Sequence, residues 1–129
     1  MMSRSLHDDA SSYFVPFLLG NTVQAQALSA KIFFKYGIRS VIVSDKRSLL
    51  EIANLSNSFA YISQTDSEEL ICEQLIAISG QLPYTLPLLV LCSQKYKSTV
   101  QNNTELLERF FVICDADELF SSSPLSTIN

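Results

Sequence analysis

FVPFLLGNTVQAQALSAKIFFKYGIRSVIVSD, residues 14–45, decides the fold. Its first six residues are a continuous apolar run, the pattern of a strand buried on both faces. Gly20 ends that run, and Asn21 and Thr22, both good N-cap residues, stand before a helix. Within it Val23, Ala27, Ala30 and Phe34 recur at steps of 4, 3 and 4, which predicts a buried stripe with Gln24, Lys31 and Lys35 opposite. Gly37 is placed to close the helix, and SVIVS is β-branched and apolar, a second buried strand. Pro16 cannot donate a ladder hydrogen bond, so it belongs near the strand's beginning or where its nitrogen faces no neighbour.

Strand, turn, helix and strand open a nucleotide-binding α/β unit. A dinucleotide turn, however, needs several glycines so that the backbone turns tightly, approaches a pyrophosphate and lets the helix pack. Val23 and Ala25 fill the later positions, and the fingerprint fails. The helix start at Gly20, Asn21 and Thr22 still offers N–H groups and a dipole to a small anion, against the plainer reading of an ordinary cap. Asp45 follows Gly20 at about the spacing of a ribose-binding acid, although beside Lys46 and Arg47 it also reads as a solvated strand end. A phosphorylation receiver needs acids after its first and third strands; Asn21 and Gln64 stand there instead.

The pattern continues. KRSLLEIAN reads as a short helix, SFAYIS as a third strand, and TDSEELICEQLIAISG as a long helix. In that helix Thr65 or Asp66 can cap with Glu68 or Glu69, Ile71, Leu75, Ile78 and Leu82 form the stripe, and Gly80 and Pro83 stop it. LPLLVLC is the fourth strand, SQKYKSTVQNN a short helix, NTELLERF a further turn capped by Thr104, and FFVIC the fifth strand. The alternation predicts a three-layer, Rossmann-like open parallel sheet of about five strands with helices on both faces. Ligands of such sheets sit beyond the carboxyl ends of the strands. The candidate rim is therefore Gly20, Asn21, Thr22, Asp45, Arg47, Ser93, Gln94, Lys95 and Tyr96. Lys46, Arg47, Lys95 and Lys97 make that rim basic, either as a solubilising edge or as a site for phosphate or carboxylate.

With 129 residues the chain suits one domain, here 13–120, between a disordered leader (1–12) and a flexible tail (121–129). Charged residues make up 17% against 47% hydrophobic, which favours a packed core over disorder. A net charge of −4 argues against nucleic acid as a partner. No apolar run approaches the roughly 20 residues of a membrane span, and the polar N-terminus lacks a signal peptide's apolar middle, so a cytoplasmic location is expected. Cys72, Cys92 and Cys114 form no CxxC pair and read as core thiols, while His7, the single histidine, lies in the leader. DADEL, after the fifth strand, reads as a turn or helix start and a poor metal site. Neither a catalytic nor a metal-ligating set is expected.

Taken together, 14–45, with its turn Tyr36, Gly37, Ile38, Arg39 and Ser40, and LPLLVLCSQKYKSTVQNNTELLERFFVICDADELF resemble the start of ATP-grasp carboxylate–amine ligases, especially the D-aspartate ligase-like group. The resemblance covers about residues 13 to 120. It implies a pre-ATP-grasp domain, noncatalytic by itself, encoded alone or surviving as a truncated product, with ATP and magnesium bound only by a missing ATP-grasp domain. A separate ATP-grasp domain or a second copy is then the expected partner, and a small carboxylate or amino acid the expected ligand. Asn21 and Gln94 stand where relatives often carry acids, which implies altered contacts at both places. The readings from other classes are a small nucleotide- or metabolite-binding regulatory module built on Asn21, Asp45 and Lys95, and a structural dimerisation domain.

Overall fold

The computed structural model describes residues 14–45, 57–81 and 86–116. Five strands, β1 (Phe14–Leu19), β2 (Ser40–Ser44), β3 (Asn57–Tyr61), β4 (Leu86–Leu91) and β5 (Val112–Asp115), form one parallel sheet in the order β3-β2-β1-β4-β5. Helix α1 (Val23–Tyr36) joins β1 to β2, α2 (Glu68–Ser79) joins β3 to β4, and α3 (Gln94–Asn102) with α4 (Thr104–Leu107) joins β4 to β5. This is the expected Rossmann-like α/β architecture.

Alternation along the strands makes two cores. Phe17, Leu19, Val43, Leu89 and Leu91 point to a layer containing Ile71, Leu75 and Ile78 of α2, Tyr96 and Val100 of α3, and Leu107 of α4. Leu18, Ile42 and Val90 point the other way, onto Ala25, Leu28 and Ile32 of α1. Both faces of β1 are thus covered, which is why its sequence is apolar without a break. The donors missing at Pro16 of β1 and Pro87 of β4 fall where one flank is open: β2 begins to pair with β1 only at Phe17, and β5 with β4 only at Leu88.

On α1 the buried residues are Ala25, Leu28, Ser29 and Ile32, whereas Val23 is 80% and Phe34 85% exposed. The stripe expected from spacing is therefore the outer face. Apolar residues stand on both sides of this helix, so periodicity alone allows either orientation, and the branched side chains Leu28 and Ile32 occupy the core with Ser29, whose hydroxyl accepts from Asn57 Nδ2 at 3.0 Å. Smaller corrections concern caps. Ser67, not Thr65 or Asp66, caps α2 by accepting from Leu70 N, and Thr65 Oγ1 instead accepts from Ser67 N. Thr104 caps nothing; its hydroxyl donates back to Val100 O at 2.9 Å, and Asn103 occupies the cap position. Gly37 ends α1 in the left-handed region as expected, with φ 69°. The leader, the tail, the KRSLLEIAN helix, Leu82 and Pro83 lie outside the described residues.

The orientation of α1 has a direct check in urea unfolding. Ile32→Ala is expected to cost about 2–4 kcal/mol by leaving a cavity, whereas Phe34→Ala changes stability by no more than about 0.5 kcal/mol.

Candidate functional site

The strand order reverses between β1 and β4, so the crevice where such sheets bind ligands lies between the loops that follow these two strands. Among the described residues the two loops meet there. Gly20 has φ 113°, and a Cβ on it would come within 2.4 Å of Ser93 Cβ, so the loops touch through the one position that has no side chain. Cys92 N donates to Leu19 O at 3.2 Å, and Gly20 N donates to Val43 O at 2.7 Å. Thr22 completes the seam: its hydroxyl accepts from Ala25 N at 3.0 Å as the α1 cap and donates to Cys92 O at 3.2 Å. The expected cap is present, and it also straps β1 to β4.

Asn21 turns into structure as well. Its Oδ1 accepts from Gln26 Nε2 at 3.1 Å, Gln26 Oε1 accepts from Asn57 Nδ2 at 3.2 Å, and the Ser29 hydroxyl donates to Gln26 O at 2.9 Å. Arg39 Nη2 donates to Asn57 O at 2.8 Å. This network ties α1 to the start of β3. Sequence reading missed Gln26, Ser29 and Asn57, for which the available signal was two polar residues three apart on a helix and an Asn at a strand start.

Asp45, at the carboxyl end of β2, forms an ion pair with Lys95 in the first turn of α3, across the end of β1. Its side chain is 7% exposed, that of Lys95 47%. Burial pushes the Asp45 carboxyl up, but the hydrogen bond and charge of Lys95, with smaller help from the Tyr96 hydroxyl and its own backbone, more than offset this and leave it below the usual range. Tyr96 is 3% exposed, and its hydroxyl lies beside the Asp45 carboxylate. Burial first, and the Asp45 charge second, push that phenol up to about 12. Lys95 Nζ also lies 5.5 Å from the centroid of the Tyr96 ring. An acid that would hold a ribose must present free oxygens; Asp45 is partly buried and its charge is already met by Lys95.

On the other side of α3, Lys97 pairs with Asp115 at the end of β5 at 3.1 Å. A pocket of about 120 Å³ lies there, lined by Gln24, Leu91, Cys92, Ser93, Gln94, Lys97 and Asp115. Pockets for drug-sized ligands and cofactors run to roughly 300–1,000 Å³, so this one has room for a small carboxylate and not for a nucleotide. Cys92 at its wall is buried, and burial, then the Asp115 charge, push its thiol up to about 12, which keeps it a poor nucleophile at neutral pH.

The structure thus brings Gly20, Thr22 and Ser93 together in a seam, and Asp45, Lys95 and Tyr96 together in a cluster. Gln94 goes to the neighbouring pocket, Asn21 to the α1 network, and Arg47 lies outside the described residues. Among the described residues no group of three His, Cys, Asp or Glu is placed to hold a metal ion, and no helix is long and apolar enough to cross a membrane. Comparison with family models, with curated proteins and with solved structures finds no match.

Two measurements test this site. Gly20→Ala must place a methyl in the left-handed region and against Ser93, and is expected to lower unfolding stability by at least about 2 kcal/mol; Gly80→Ala, at φ −75° with nothing closer than 3.6 Å, stays within about 1 kcal/mol of the parent. Because the Asp45 carboxyl is depressed in the folded state, its contribution to stability is present above the unfolded carboxylate range and is lost as pH falls through the folded value. Lys95→Met removes the main opposition to burial. NMR titration of the Asp45 carboxyl carbon is then expected to show its pKa moved upward, with acid unfolding beginning at higher pH.

Proposed function

We propose that this chain is a noncatalytic, pre-ATP-grasp-like module of a carboxylate–amine ligase system. It contributes the carboxyl edge of its sheet to a site completed by an ATP-grasp domain. ATP and magnesium belong to that partner domain in this reading, and the chain supplies a surface and a subsite for a small carboxylate or amino acid at the Lys97 pocket. The strand order and the resemblance of 14–45 and 86–120 support the assignment.

One observation carries the noncatalytic part. The acid positioned for a ribose, Asp45, is neutralised by Lys95, and the loops beside it touch at Gly20 and Ser93. Phosphoryl chemistry needs cationic or metal groups aimed at an open phosphate site, and a pocket of about 120 Å³ is too small for a nucleotide.

Calorimetry with the full chain is expected to detect no saturable binding of NAD or ATP. Addition of a separately produced ATP-grasp domain is expected to give association and ADP release that depends on this chain. Absence of both association and ADP release overturns the ligase-module reading. Saturable NAD or ATP binding that disappears in Asp45→Ala overturns it in favour of a nucleotide-binding regulatory module.

A further inference from the structure

The recess between α3 and the end of β5 presents two opposite charges to whatever enters it. Lys97 Nζ and Asp115 Oδ2 lie 3.1 Å apart there, with side chains 31% and 28% exposed. Gln24, Ser93 and Gln94 add polar groups to the lining, and Leu91 and Cys92, both buried, add apolar ones.

This ion pair differs from its neighbour. The Asp45 carboxylate is 7% exposed and needs the Lys95 charge to stay ionised. A pair as wet as Lys97 with Asp115 contributes little to stability, because water screens it and two side chains must be held in one geometry. It therefore opens at small cost.

Charge matching then selects the ligand. A plain carboxylate in the recess meets Lys97 but also the Asp115 carboxylate, and a plain amine meets Asp115 but also the Lys97 ammonium, so each loses on one side what it gains on the other. A molecule that carries both charges exchanges one ion pair for two. Its carboxylate is favoured further by the positive end of α3, a nine-residue helix whose cap Ser93 and first residue Gln94 line the recess. The volume of about 120 Å³ equals the liquid share of roughly four water molecules, which restricts the ligand to a very small one.

We propose that this recess binds a small α-amino acid as its zwitterion, with the carboxylate on Lys97 and the first turn of α3, the ammonium on Asp115, and a hydrogen or methyl side chain against Leu91 and Cys92. The ligand's role in ligation rests on the function proposed above; its binding to this chain does not.

Amide NMR of the full chain titrated with glycine tests this. Saturable shifts are expected at Gln24, Ser93, Gln94, Lys97 and Asp115, with a dissociation constant on the order of 1 mM for so few heavy atoms. Acetate and methylamine each carry one of the two charges and are expected to bind at least about tenfold more weakly. Lys97→Met and Asp115→Asn each remove one ligand contact and are expected to weaken glycine binding at least about tenfold, with the spectrum otherwise that of the parent. The comparison with acetate and methylamine uses the unaltered chain, so it decides even where a variant fails to fold. Absence of a saturable shift up to about 50 mM glycine, acetate or methylamine binding as tightly as glycine, or folded variants that bind like the parent overturns the inference. Glycine binding without partner-dependent ADP release removes the ligase role alone, and ADP release without glycine binding removes this site alone.

Discussion

The contact between Gly20 and Ser93 governs the rest of the molecule. It lies where the strand order reverses, and it lets the loops after β1 and β4 meet with no side chain between them. Thr22 uses that closeness to reach Cys92 O while capping α1, so one hydroxyl serves a helix start and a strand end together. A glycine in a nucleotide-binding turn makes room for a phosphate; here the same residue makes room for a neighbouring loop.

The same edge of the sheet carries the ion pairs. With β1 ending under the seam, β2 and α3 face each other over it, and Asp45 meets Lys95 at the carboxyl edge. Partial burial makes that pair matter, because a carboxylate out of water needs a counter-charge to remain ionised. The Tyr96 hydroxyl lies beside this pair, and the Tyr96 ring packs in the core on the α2 and α3 side. In the second pair, Lys97 with Asp115, the acid is the more exposed of the two carboxylates, and a small recess lies beside it. Both lysines of the first turn of α3 therefore stand at a positive helix end, and each is met there by an acid from a strand end.

The amino-acid sequence by itself determined the strands and most of the long helix. SVIVS coincides with β2, the apolar run 14–19 with β1, and Ile71, Leu75 and Ile78 do form the inner face of α2, because β-branched runs and a strong 3.6-residue repeat have one low-energy way to be buried. Gly37 as a helix stop and Thr22 as a cap were equally legible, since both act through bonds to residues three or four away. Tertiary structure alone decided which face of α1 turns inward, because Val23, Ala27, Ala30 and Phe34 are as regularly spaced as Ala25, Leu28 and Ile32, and the choice fell to volume and to Asn57 on a strand 28 residues away from Ser29. It also decided the state of Asp45: the spacing that marks a ribose-binding acid is local, but its partner Lys95 is 50 residues distant, and a charge pair made across a sheet leaves no trace in the order of residues along the chain.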